Sequence, residues 1–306
     1  MKSAVLFLVF NRPDTTQQVF DAIRMAKPPR IYIAADGPRS ERRGEMERCL
    51  ETRQIATNVD WPCEVKTLFR EDNLGCKWAV SSAITWFFEH EQEGIVLEDD
   101  CYPSLSFFRY CDELLERYRF DNRIWHISGN NFNQNIKSND QNSYNFGGIY
   151  GSIWGWASWR NRWDKYDPEI KDYDKLQASG ILQQCYDGGD AVKSRIIDFE
   201  LIKNGLDTWD YQWVFCRWVN SGLTIIPTLN MIKNIGFGEN ATHTKNNEDS
   251  RAEMMALEIE FPLKHPSYVI RDALEERILY RSMYKKSLIT EILSKIKIWI
   301  KIWVKK

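Results

Sequence analysis

The chain has 306 residues, 43% of them hydrophobic, and a formal net charge of -2. That is ample for a sizeable core, and without a global basic field nothing argues for nucleic acid as a partner. Thirteen Trp and 13 Tyr are core material first and platforms for flat ligands such as sugars second.

The first 130 residues alternate strand and helix. Residues 4–10 are apolar and read as a buried strand; the run is too short, and lacks the cleavage site, for a signal peptide. Asp14 is placed to cap a helix over residues 15–27. Residues 30–36 form a second strand closing on the turn Ala35-Asp36-Gly37-Pro38. A charged helix (41–57), a strand (64–70), a strongly apolar helix (76–90) and a fourth strand (93–97) follow. Leu105, Phe108, Cys111, Leu115 and Tyr118 then recur every three or four positions, one face of an amphipathic helix. A fifth strand, 123–128, precedes the turn Gly129-Asn130-Asn131. This alternation predicts an α/β fold: a mostly parallel, Rossmann-like sheet flanked by helices, binding ligands beyond the strands' carboxyl ends.

The second half is less regular. Residues 133–145 are polar and loop-like, and Ile153-Trp154-Gly155-Trp156-Ala157-Ser158-Trp159 reads as the start of a helix. Helices over 191–203 and 211–220, short strands over 222–228 and 231–236, and a polar loop over 237–249 complete it. The tail, residues 285–306, holds seven Lys and one Glu among Ile, Leu, Val and Trp. Such a basic amphipathic segment suits an anionic membrane surface, and equally a helix docked on the domain or on a partner. No stretch of about 20 apolar residues is present, so no membrane-spanning helix is expected. Seven cysteines without a C-x-x-C pair fit neither a disulfide framework nor a zinc ribbon, and suit a reducing compartment.

Glu98-Asp99-Asp100 ends the apolar strand Gly94-Ile95-Val96-Leu97. Carboxylates at the mouth of a core strand repel one another and lose hydration, a cost that a divalent cation with oxygen ligands would offset. Side chains alternate along a strand, so Glu98 and Asp100 are expected on one face and Asp99 on the other. An acidic triplet alone also reads as a solvated turn, but Asn11-Arg12, Asp36 and Arg70 fall at neighbouring strand ends, which points to a metal-phosphate site. No G-x-G-x-x-G follows the first strand, and no P-loop or G-x-S-x-G elbow occurs. Phosphate neutralisation therefore falls to the cation and to side chains such as Arg12 and Arg70. Asp210, in Thr208-Trp209-Asp210-Tyr211-Gln212-Trp213, is a carboxylate among aromatics that suits either a general base or a helix cap. His243, on a polar loop, is either solvated or a metal or phosphate ligand.

The stretch from Asn73-Leu74-Gly75-Cys76-Lys77-Trp78-Ala79 through Glu98-Asp99-Asp100-Cys101-Tyr102-Pro103-Ser104-Leu105-Ser106-Phe107-Phe108 resembles the N-acetylglucosaminyltransferase I family, and bacterial sugar transferases of that group more closely still. The later order of Gly129-Asn130-Asn131, Trp154-Gly155-Trp156, Trp209-Asp210, and Phe237-Gly238 before His243 is similar too, so the resemblance covers residues 1–245. It implies a GT-A-type fold and an inverting transfer from a UDP-sugar that depends on Mn²⁺ (or Mg²⁺). It further implies Arg12 on the donor diphosphate, Asp36 on uracil, Glu98 on the donor sugar, Asp99 on the ribose and Asp100 as the direct metal ligand. Residues 237–245, His243 among them, would order over bound donor. Asp210 would be the general base and Trp209 a wall of its site, while Trp154 and Trp156 either stack on the acceptor or close the core beneath it.

The expectation is a hexosyl- or N-acetylhexosaminyltransferase acting on a glycan or lipid-linked acceptor in surface polysaccharide synthesis. It would be bacterial, in the cytoplasm or peripheral at the inner face of the cell membrane. Residues 1–130 would be the nucleotide-sugar half, 131–250 the acceptor and catalytic half, and 251–306 a helical region with the basic tail. The alternatives are a non-catalytic nucleotide-sugar-binding protein or a sugar-phosphate nucleotidyltransferase. The latter normally carries a Gly-rich basic loop where Asn11-Arg12-Pro13-Asp14 stands.

Overall fold

The computed structural model describes residues 1–133, 142–237 and 250–284. The predicted alternation is present: β1 (Ala4–Val9), α1 (Pro13–Ala26), β2 (Arg30–Ala35), α2 (Glu45–Thr57), β3 (Glu64–Phe69), α3 (Gly75–His90), β4 (Glu93–Glu98), β5 (Cys101–Pro103), α4 (Leu105–Tyr118) and β6 (Ile124–Ser128). Every residue of β1 is buried, as its unbroken apolar run requires. Its side chains divide by parity. Val5, Phe7 and Val9 join the core under α1 and α4, while Ala4, Leu6 and Leu8 pack on the other face against Ile84 and Phe87 of α3. Asp14 does not cap α1; Pro13 takes the first helical position, where its missing N–H costs nothing, and Asp14 sits in the first turn. On α4 the buried stripe includes Phe107, Phe108, Cys111, Leu115 and Tyr118, whereas Leu105 at the helix start faces solvent.

The chain continues with β7 (Tyr144–Gly147), β8 (Trp156–Trp159), the short helices α5 (Arg160–Trp163), α6 (Tyr173–Ala178) and α7 (Ile181–Gln184), then α8 (Asp190–Lys203), α9 (Asp210–Val219), β9 (Leu223–Pro227), β10 (Ile232–Asn234) and α10 (Ala273–Tyr284). The aromatic run expected to begin a helix is instead a strand. β8 lies antiparallel between β4 and β6, buried on both faces, and such a run carries no period to separate strand from helix.

One eight-stranded sheet, in the order β3-β2-β1-β4-β8-β6-β9-β7, runs through both predicted halves. Strands β1 to β4, and β6 with β9, are parallel; β8 and β7 run against them. The fold is therefore α/β with a mostly parallel sheet, as predicted. β5 and β10 form a separate antiparallel ribbon just beyond the acidic triplet. A further apolar cluster around Phe199, Phe215 and Trp218 joins α8 to α9. All seven cysteines are free. Among the described residues no helix is long and apolar enough to cross a membrane. The tail, 285–306, lies outside them.

Candidate functional site

β1 and β4 are parallel neighbours, so the segments after their carboxyl ends meet. β4 stops at Glu98, and Asp99-Asp100 form a turn before β5, which breaks the expected strand alternation. Arg12 consequently reaches both: Nη2 pairs with Asp99 Oδ1, and Nη1 with Asp100 Oδ2 at 2.9 Å. The other Asp99 oxygen accepts the Phe10 N–H at 3.2 Å, and the side chain is 3% exposed. Asp99 thus fastens the end of β1 to the end of β4. Both Asp99 oxygens are engaged by protein partners. Burial works against the Arg12 cation, but Asp99 and Asp100 outweigh it and hold its pKa above the ordinary value. Burial, then repulsion from Asp100 and Asp99, pushes the Glu98 carboxyl well above the usual range.

Arg12 answers two carboxylates and leaves Glu98 unanswered: its Oε1 is buried with no hydrogen-bond partner among the described residues. Glu98 and Asp100 are hard oxygen donors of the kind a divalent cation takes. Gly236 lies so close to Asp100 and Arg12 that a Cβ would collide with both. Among the described residues no three His, Cys, Asp or Glu side chains form a ready metal cage. A cation taken by Glu98 and Asp100 would need its coordination completed by ligand oxygens. His243 lies outside the described residues.

Asp36, just after β2, accepts the N–H groups of Leu74 at 3.0 Å and Gly75 at 3.2 Å, and burial raises its pKa. Arg70, after β3, donates to Ser82 of α3 at 2.7 Å. Asp36 turns toward the head of α3 and Arg70 toward its middle. A residue the sequence did not single out also meets the head. Asp207 accepts the N–H groups of Cys76 at 3.0 Å and Lys77 at 2.8 Å. The signal was available in the helix itself, since α3 has Leu74 at its N-cap position and supplies no cap of its own.

Three residues further on, Asp210 opens α9. It makes no capping bond to its own helix and instead accepts the Thr208 hydroxyl, so the cap reading falls away. Its charge reaches the donor side. Burial, then Glu98, Asp207, Asp210 and Asp36 in turn, raises the Cys76 thiol pKa. Carboxylates from both halves of the chain therefore surround the first turn of α3.

Asp210 also lines a cavity of about 160 Å³ whose wall includes Asn130, Trp154, Arg195 and Tyr211. Asn130 donates through Nδ2 to Asn230 at 2.7 Å, while its buried Oδ1 has no partner among the described residues. Trp154 stands in the wall, edge-to-face with Phe132 at 5.0 Å and Phe237 at 5.8 Å. Trp156 and Trp209 do not. They are 0% and 2% exposed and stack on each other at 5.8 Å within the core, so neither has a free face for an acceptor. Trp156 thus takes the core-closing alternative, and Trp209 lies in the core with it rather than in the cavity wall. Beneath them His126 donates from Nε2 to the Ser152 carbonyl and accepts the Trp213 indole N–H at Nδ1. Burial drives its pKa down to about 3, so it is a neutral core residue.

No protein-family model matches the chain, and no curated protein matches it. Among solved structures, S. aureus TarS 1–349 is similar at 10% identity over 76% of this chain and 60% of that one, with a TM-score of 0.42. The galactosyltransferase LgtC, solved with donor and acceptor sugar analogs, is similar at 10% identity over 72% of this chain and 86% of that one (TM-score 0.34). HddC from Yersinia pseudotuberculosis is similar at 11% identity over 54% and 80% (TM-score 0.33). Likeness this distant carries no argument about what the chain does.

Proposed function

We propose that this chain is a GT-A-type glycosyltransferase, metal-dependent and inverting. It moves a hexose or N-acetylhexosamine from a UDP-sugar to a hydroxyl of a glycan or lipid-linked acceptor. One observation carries the reading: Glu98 of the triplet, at the end of β4, and Asp210, in the wall of a cavity, both act on Cys76 in the first turn of α3. A strand-end carboxylate cluster beside a cleft that offers a separate base suits transfer from a nucleotide-linked donor.

Asp100 would hold Mn²⁺ or Mg²⁺, which when bound would neutralise the leaving diphosphate. Glu98 would meet the donor sugar. Asp36 orders the amides at the head of α3, where the base would lie. Asp210 would take the acceptor's proton; the Thr208 hydroxyl holds one of its oxygens and leaves the other to receive it. Trp154 would bound the acceptor, and attack opposite the leaving group would invert the anomeric centre. The basic tail would rest on an anionic bilayer, a role sunk by equal liposome binding after deletion of residues 285–306.

The test follows free UDP from a panel of UDP-sugars with mixed sugar acceptors, in Mn²⁺ and in EDTA. Release that requires both metal and acceptor is expected. No release across the panel sinks the transferase reading, and metal-independent release removes the role given to Asp100. Pyrophosphate formed from UTP and a sugar phosphate would favour a nucleotidyltransferase.

A further inference from the structure

Arg217, on α9, is fully buried, and its Nη1 donates to the Thr224 hydroxyl. Its Nε and Nη2 have no hydrogen-bond partner among the described residues. Burial lowers its pKa to about 10, and Tyr186 and Glu276 offset that only in part. Glu276 is already committed: Oε1 accepts the Gly148 and Ile149 amides at 2.7 and 2.6 Å, and Oε2 binds Arg271. A buried cation without a carboxylate is costly, so the site gains from an outside anion.

That cation lies directly behind the cavity. Gly151 lines the wall, and a Cβ there would come within 2.9 Å of Arg217 Nη2 and 2.8 Å of Thr224 Oγ1. Glycine is what lets the wall rest on the guanidinium. Arg195 and Arg251 line the same cavity. Asp198 lies 3.1 Å from Arg195, and Asp210 belongs to the chemistry proposed above. Arg195 and Arg217 repel each other closely enough to weaken the Arg217 cation further. Guanidinium groups clustered at a partly desolvated wall match carboxylates and phosphates, and neutral hydroxyls give no reason for them.

We infer that the acceptor carries a negatively charged group, a carboxylate or a phosphate, received at the wall formed by Gly151 and Arg195 over Arg217. The word acceptor rests on the transferase reading; the anion site does not. The intact chain, without donor, is titrated calorimetrically with methyl glucuronide, glucose 6-phosphate and methyl glucoside. At least about tenfold tighter binding of an anionic probe than of the glucoside is expected. The stronger of the two anionic probes identifies carboxylate or phosphate. Arg195→Gln and, independently, Arg251→Gln should erase most of the preference while melting cooperatively, and Arg195→Lys should retain part of it. Equal affinity for charged and neutral probes, or a preference untouched in both Gln variants, overturns the inference. UDP release separates the two readings. Release with neutral acceptors and no anion preference sinks this inference alone, whereas anion preference without release sinks the transferase reading alone.

Discussion

The two halves of the chain differ in how their buried charge is answered. Around β4 the buried groups are carboxylates, Glu98 and Asp99, with Arg12 the cation that answers Asp99 and Asp100. Beyond β8 they are the guanidiniums Arg162, Arg195 and Arg217, with one carboxylate, Glu276, that is committed to the Gly148 and Ile149 amides and to Arg271. Arg162 shows what a structural buried cation looks like: it donates to the carbonyls of Ile124, Tyr118, Arg119 and Asp121. Arg217 and Glu98 lack that enclosure; each keeps a buried polar atom without a partner among the described residues. Satisfied buried charge holds the fold, and unsatisfied buried charge marks where a ligand of opposite sign repays the desolvation. The contrast predicts a cation on one side and an anion on the other.

The largest expected effect breaks that contrast at its centre. Asp210→Asn should lower kcat about 10²–10⁴-fold, the range for a lost general base, with donor affinity and thermal midpoint unchanged. A donor-dependent rate that survives the substitution would move the base elsewhere. Next come two tryptophans separated by a single glycine. Trp156→Ala should cost about 3–5 kcal/mol in urea denaturation and leave acceptor KM unmoved in whatever protein folds. Trp154→Ala should do the reverse, raising KM at near-normal stability. If both behave alike, the division between wall and floor fails.

A smaller effect concerns a carboxylate that is fully answered. Hydrogen bonding from Arg39 holds Glu45 at a pKa of about 2, against an ordinary 4.5, with burial opposing and Asn11 helping. The folded pKa is depressed, so the stabilisation is present above the unfolded value. It is lost as pH falls, because the unfolded chain takes up the proton first. The urea midpoint should therefore decline between about pH 4.5 and 2, and Glu45→Gln should flatten that decline. A slope unchanged in the variant would assign the acid lability to other groups.

What the sequence made legible follows from distance along the chain. Asp36 and Arg70 stand directly after a strand, Glu98 ends one and Arg12 lies three residues beyond one, so local pattern alone puts them at strand ends. What each one does there is set by partners far away. Asp99 is turned inward by Arg12, 87 residues earlier, and no local rule forecasts that. The aromatic segment around Trp156 misled for a related reason: burial on both faces erased the periodicity that would have marked a strand. The cavity was hidden most completely, since its wall joins the turn at Asn130, the segment around Gly151, and residues of α8, α9 and α10.

The smallest predicted effect bears on how the two halves are held in register. α3 begins with free amides, and they are capped by one carboxylate from each half: Asp36 from the end of β2, and Asp207 from the segment that leads into Asp210. Gly75 stands between them at φ 79°, and a Cβ there would come within 2.9 Å of an Asp207 oxygen. Asp207→Ala should cost about 1 kcal/mol, the usual worth of a lost cap. If the bond served only the helix, the loss would end there. Because Thr208, which holds Asp210, is the next residue, the substitution should also lower kcat while leaving donor affinity intact. Asp207→Asn keeps one acceptor oxygen and should recover most of the rate. A rate that follows stability alone in both variants would reduce Asp207 to a helix cap, and the coupling of the donor side to the base would then have to run through the sheet.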